Sequence, residues 1–145
     1  MSKINRAIVI SVVSILATTL VDCGGRKRDF SSLGEVTVAN LWISASDGSK
    51  YGWKISDPKE LSRIVAFVDS DRKDWSTPWL GIPMPIVEVQ VFDGDQAKGT
   101  FGAGKDFFET QRDGEFFSKH ASSNEIHNFF DAAGLDDAAV KKYSK

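Results

Sequence analysis

The chain has 145 residues, of which 18 are lysine or arginine and 20 are aspartate or glutamate, so its formal net charge at neutral pH is −2. A charge this close to zero argues against a nucleic-acid-binding protein, because such a protein needs a basic surface to neutralise phosphates. The length suits a single domain, and the only cysteine, Cys23, excludes an internal disulfide.

The N-terminal segment has the pattern of an export signal. Lys3 and Arg6 precede the uncharged, mostly apolar run Ala7–Val21, which is typical of a signal peptide. As a helix this run would span roughly 22 Å at about 1.5 Å per residue, which is less than the ~30 Å hydrocarbon core of a bilayer. A stable transmembrane helix is therefore the weaker interpretation.

The segment ends in Leu20-Val21-Asp22-Cys23, which resembles the lipobox of bacterial lipoproteins, although the family has a small residue where Asp22 stands. The resemblance implies that residues 1–22 are removed and that Cys23 is acylated, which would anchor the protein in the cell envelope. Gly24 after the cysteine resembles the outer-membrane sorting case, so a Gram-negative cell would hold it facing the periplasm. Two alternatives remain: ordinary signal-peptidase cleavage after Thr19, or an uncleaved N-terminal anchor.

Gly24–Gly34 is predicted to be a tether, because its glycines favour flexibility. Arg26-Lys27-Arg28 either rests on anionic headgroups, at about 1 kcal/mol per basic residue, or is a solvated spacer. We therefore predict a lipidated tether over residues 23–34 and a single α+β domain over residues 35–145.

Alternating apolar residues predict six strands joined by turns such as Asp113-Gly114. They cover Glu35–Ile43, Tyr51–Ile55, Ile86–Phe92, Ala97–Ala103, Asp106–Arg112 and Glu115–Lys119.

Two amphipathic helices are predicted from capping signals and from apolar residues at i, i+3, i+4 and i+7. The first begins after Asp57, where Glu60 has capping-box spacing, and ends near Asp69–Asp71. The second begins after Ser122 and ends at Gly134, and a weaker final helix follows.

The resulting order, β-β-α-β-β-β-β-α, predicts an α+β fold: an antiparallel sheet of five or six strands with two helices packed on one face. This order is similar to that of TBP-like domains, an analogy of topology that carries no function with it.

Trp75–Pro85 joins the first helix to the third strand and contains three prolines and a glycine, which exclude regular structure. Its apolar content has two explanations. The segment either folds over the sheet as a lid, or presents a partner-binding surface. On the second explanation, the partner-binding residues are Trp75, Trp79, Leu80 and Met84.

Two segments partly match the sequence patterns of a phosphate-binding loop and a calcium-binding loop. Gly99–Asp106 resembles a phosphate-binding loop, but Asp106 replaces the hydroxyl that would bind magnesium and a strand follows instead of a helix. No nucleotide is therefore predicted, and the glycines are expected to permit a β-bulge or a bent edge. Asp69–Asp74 fails the calcium-loop pattern at its fifth, sixth and twelfth positions. His120, Glu125 and His127 lack a third zinc ligand at a defined spacing, so we predict no metal and no cofactor.

These features favour a membrane-tethered lipoprotein that acts as a non-catalytic binding module, such as an inhibitor, an immunity-type protein or an accessory subunit. Its expected partners are the membrane, through the lipid on Cys23, and another protein. The alternative is a small hydrolase-like envelope enzyme that uses surface acids with His120 and His127.

Overall fold

The computed structural model describes residues 27–78, 81 and 84–143. These residues form an α+β domain with one antiparallel sheet of eight strands and three helices. The predicted class and the antiparallel sheet are confirmed, whereas the predicted numbers of strands and helices are too low. No helix in these ranges has both the length and the apolar character needed to cross a membrane.

The strands are β1 (Lys27–Arg28), β2 (Val38–Ser44), β3 (Lys50–Ile55), β4 (Trp75–Ser76), β5 (Val87–Asp93), β6 (Gln96–Ala103), β7 (Phe107–Arg112) and β8 (Glu115–His120). The helices are α1 (Pro58–Ser70), α2 (Ser123–Ala132) and α3 (Asp137–Tyr143). Across the sheet the strands follow the order β1-β4-β8-β7-β6-β5-β2-β3. The two strands missing from the prediction, β1 and β4, have two residues each, which is too short for an alternating pattern to be recognised.

The two longer helices begin at the predicted caps. Asp57 Oδ1 accepts hydrogen bonds from two backbone N–H groups of the first turn of α1, at 2.9 and 3.1 Å. Ser122 and Glu125 form a reciprocal capping box at the start of α2. Gly134 follows α2 with a φ of +73°, the left-handed conformation that glycine adopts without strain.

The core lies between the helices and one face of the sheet, which we call the helix face; the other is the open face. Phe101 is at the centre of an aromatic cluster on the helix face, with its ring centroid 5.0 Å from those of Phe108 and Phe129 and 5.7 Å from that of Trp75. These four side chains are each at most 3% exposed, so the helices and the sheet share one apolar core.

The predicted tether is largely part of the domain. Lys27 and Arg28 pair with Ser76 and Trp75 in the sheet, and Leu33 is buried, with its N–H donating to Asp69 Oδ1 at 2.9 Å. Residues 27–34, which the sequence placed in a flexible tether over residues 23–34, therefore contact the domain through β1 and through Leu33.

The segment Trp75–Pro85 combines core packing with coverage of the open face. Its first residue, Trp75, is 1% exposed on the helix face. Near its other end, Pro85 is buried over β6: a Cβ built on Gly102 would lie 2.8 Å from Pro85 Cβ. The contact at Pro85 supports the explanation that this segment folds over the sheet as a lid. Trp79 and Leu80 lie outside the described residues.

Candidate interaction surface

The predicted partner-binding residues have different positions. Trp75 is fully packed, and its Nε1–H donates to the backbone oxygen of Asp71 at 2.8 Å. This corrects the partner-binding prediction for Trp75, whose ring leaves no surface for another protein. Met84 is 75% exposed and stays accessible. Cys23, the predicted lipidation residue, falls outside the part of the chain that the structure describes, as do Trp79 and Leu80.

An exposed aromatic group lies on β3. Tyr51 is 44% exposed and Trp53 is 40% exposed. The ring of Tyr143, in the last turn of α3, has its centroid 5.0 Å from that of Tyr51 and 5.4 Å from that of Trp53. We call these three residues the aromatic edge, and exposed aromatic side chains of this kind are typical anchors of protein interfaces.

The backbone of β3 has an open side. β3 is the last strand in the sheet order, and no other described strand pairs with its outer side. The N–H of Ala45 donates to the carbonyl of Ser49 at 2.8 Å in the β2–β3 turn. Because hydrogen-bonded pairs alternate along antiparallel strands, Lys50, Gly52 and Lys54 direct their N–H and C=O groups outward. These groups can pair with an added strand.

The surroundings of this edge are basic. Lys50 and Lys54 share the open face of β3, because they alternate with Tyr51 and Trp53. Lys141 and Lys142 lie in the last turn of α3, and Lys142 Nζ is 4.8 Å from the centroid of the Tyr143 ring. In a chain with a net charge of −2, this local excess of lysines favours an acidic partner.

A second unusual group, Glu109, is buried on the open face. It is 3% exposed, and its Oε2 has no hydrogen-bond partner among the described residues. Burial, with the nearby Glu88 carboxylate as the second cause, raises the pKa of Glu109 to about 7, while Lys50 opposes the shift. Since Pro85 lies over the neighbouring Gly102, the carboxyl group has almost no solvent access, which disfavours a role in catalysis.

The residues of the histidine-centred set His120, Glu125 and His127 have separate structural contacts. His127 Nδ1 is 2.7 Å from the carbonyl oxygen of Ser123, and its Nε2 is 3.1 Å from Asp137 Oδ2. These contacts raise the pKa of His127, with the Ser123 carbonyl as the larger cause. Glu125 is occupied by the capping box, and His120 is exposed at the end of β8. Within the described ranges, no three His, Cys, Asp or Glu side chains are grouped for metal binding.

The alternating residues of Tyr51–Ile55 predicted the strand β3, but its position at the edge of the sheet was not predicted. The available signal was the pair of lysines, Lys50 and Lys54, because edge strands often carry lysine. The burial of Glu109 gave no comparable signal, since Pro85, which covers the neighbouring Gly102, is remote from Glu109 in the sequence.

No family model matches the chain, and no curated protein or solved structure is significantly similar to it. The function therefore has to be inferred from geometry.

Proposed function

We propose that the chain is a bacterial envelope lipoprotein whose domain is a non-catalytic binding module. The membrane holds one edge of its sheet and a protein partner binds the other. The strand order is the observation that supports this arrangement most strongly, because β1 and β3 are at opposite ends of the sheet. Seven interstrand spacings of about 4.8 Å separate them by roughly 34 Å, measured along the sheet.

On the anchored side, only three residues separate Cys23 from Lys27, the first residue of β1. A fully extended chain over these four steps reaches at most about 14 Å. A lipid on Cys23 would therefore keep the β1 edge close to the headgroups. Arg28 at this edge is already paired with Asp113 at 2.8 Å and with Glu115 at 3.0 Å. The proposed attachment therefore depends on the lipid more than on contacts between Arg28 and the headgroups.

At the free edge of β3, the proposed occupant is an extended segment of a protein partner that adds a strand to the sheet. The outward N–H and C=O groups of Lys50, Gly52 and Lys54 supply main-chain hydrogen bonds for this mode of recognition. The side chains set the preference, because cross-strand neighbours interact in pairs. We expect acidic residues opposite Lys50 and Lys54 and apolar residues against Tyr51 and Trp53.

A cavity beside α1 is lined by uncharged residues, which also favours a binding function over catalysis. This cavity has a volume of about 440 Å³ and lies between residues 34–37 and the first half of α1. Its lining consists of glycine, proline, aliphatic and hydroxyl residues, so it provides no general acid or base.

Lys54→Pro tests strand addition, with Lys54→Gln as the matched control. Both variants lose the charge, but only proline removes the outward N–H, and proline is tolerated on the free side of an edge strand. In a crosslinked pull-down from the native envelope, identified by mass spectrometry, we expect Lys54→Gln, which loses one charge and no main-chain donor, to retain most of the capture. Lys54→Pro is expected to reduce capture about tenfold, equivalent to about 1.4 kcal/mol.

Both variants must have thermal melts close to that of the unmodified chain. Equal capture by Lys54→Pro and Lys54→Gln would contradict strand addition. A further pair locates the partner: Trp53→Ala should weaken capture and Met84→Ala should not. The opposite result would place the partner on the connecting segment predicted from the sequence.

A further inference from the structure

A polar cavity lies beside the loop that leads from β1 to β2, with a volume of about 250 Å³. Its charged lining residues are Lys98 on β6, Arg112 at the end of β7 and Asp113 in the β7–β8 turn. Ser31 and Gln96 add a hydroxyl and an amide group. The cavity is therefore rich in hydrogen-bond donors.

Within the described residues, neither cation in this cavity is hydrogen-bonded to Asp113, the acid that lines the cavity with them. Asp113 Oδ2 already accepts a hydrogen bond from Arg28 Nη2 at 2.8 Å. Within the described part of the chain, neither the Arg112 guanidinium nor the Lys98 ammonium group donates a hydrogen bond to another side chain or to the backbone. Both cations are therefore available to an acceptor from outside the chain.

The position of Arg112 is fixed by packing. Its guanidinium carbon is 5.5 Å from the centroid of the Phe30 ring, a cation–π contact. Its stem occupies space left open by Gly99, where a built Cβ would lie 2.8 Å from Arg112 Cδ. Burial lowers the pKa of Arg112, against the opposing effect of Asp69 and Asp113. The guanidinium has thus lost part of its hydration without gaining a hydrogen-bonded acceptor.

We propose that this cavity binds a phosphate-class oxyanion. The planar guanidinium of Arg112 donates paired N–H groups to two oxygens, and Lys98 contributes a second positive charge. The volume of about 250 Å³ lies below the range of about 300–1,000 Å³ for larger organic ligands, which favours a small anionic group. This site is independent of the β3 edge.

The phosphate group has two possible sources with the same chemistry. One is a soluble phosphate compound. The other is a phospholipid headgroup, because Phe30 and Ser31 in the cavity wall follow directly after β1, the edge that we place near the membrane.

The test is calorimetric titration of the full-length chain in non-ionic detergent with inorganic phosphate. We expect saturable binding that Arg112→Gln weakens at least about tenfold and that Lys98→Gln also weakens. Lys105→Gln, an exposed lysine outside the cavity, is the matched control and should bind like the unmodified chain. No saturable binding, or unchanged binding by Arg112→Gln, would overturn the proposal.

Because Arg112 packs on Phe30, thermal melts accompany each titration. If Arg112→Gln unfolds, the comparison of Lys98→Gln with Lys105→Gln decides. Weaker phosphate binding by Lys98→Gln supports the site, and equal binding by the two variants overturns it.

Phosphatidylglycerol vesicles then distinguish the two sources of the phosphate group. Vesicle binding that free phosphate displaces and that Arg112→Gln or Lys98→Gln abolishes indicates a headgroup. Vesicle binding that neither substitution changes indicates a soluble phosphate compound. A failed phosphate titration would leave the Lys54 capture experiment unaffected, since that experiment concerns the opposite edge.

Discussion

Replacing Trp75 with alanine is expected to lower the free energy of unfolding by about 3–5 kcal/mol, the range for truncating a buried aromatic side chain. The ring is 1% exposed and makes edge-on contacts with Phe30 and Phe101. The change also leaves the backbone oxygen of Asp71 without its Nε1–H donor. Urea denaturation monitored by circular dichroism measures the loss as a lower midpoint at an unchanged slope.

Trp53→Ala is the control for this substitution. Trp53 is 40% exposed on the aromatic edge, so its removal is expected to cost about 1 kcal/mol or less. Similar denaturation midpoints for the two variants would contradict the placement of Trp75 in the core.

Replacing Glu109 with glutamine is expected to stabilise the protein at pH 8 and to flatten its pH dependence. Glu109 is 3% exposed with an unpartnered Oε2 among the described residues, and its pKa rises from 4.5 to about 7. Two charged groups on the same face also act on this pKa: Glu88 raises it and Lys50 lowers it. Ser118, its cross-strand partner on β8, is uncharged.

The direction of this pH dependence of stability follows from proton linkage. As pH rises from 4.5 to about 7, the glutamate of the unfolded chain releases its proton while the folded protein retains it. Stability therefore falls across this window, by at most about 3 kcal/mol, and changes little from this group above pH 7 or below pH 4.5. Glutamine removes the ionisation, so the variant should gain most at pH 8 and almost nothing at pH 4.

Denaturant midpoints measured from pH 4 to pH 8 test this prediction, and Glu88→Gln is the matched control. Glu88 is half-buried on β5 and is only the second cause of the shift, so its variant should retain most of the pH dependence. A Glu109→Gln profile parallel to that of the unmodified chain would show that the carboxyl group is not buried in the protonated form.

Local signals predicted the elements well because their determinants are close together in the sequence. Alternation located all six longer strands, and the side chains of Asp57 and Ser122 cap the helices that they were expected to begin. β1 and β4 could not be found in the same way. They exist because Lys27–Arg28 pairs with Trp75–Ser76, a contact that depends on the whole fold.

The candidate sites were predicted less completely, because burial and edge position are tertiary properties. Trp75 stands between Asp74 and Ser76, and Trp53 between Gly52 and Lys54, so neither has an apolar neighbour in the sequence. Yet Trp75 is in the core and Trp53 is on the free edge. Gly99 was expected to permit a bulge, and the strand pairing does shift between Val91 and Phe92 opposite it. That local prediction is confirmed, whereas the polar cavity beside Arg112 required the three-dimensional arrangement.

Attachment to a membrane at the β1 edge is the central claim, since it gives the opposite β3 edge its orientation toward a partner. Intact-mass spectrometry of the membrane-extracted protein tests it most directly. We predict a chain that begins at Cys23 and carries acyl groups. A chain that retains residues 1–22, or one cleaved elsewhere and free of lipid, would contradict the claim.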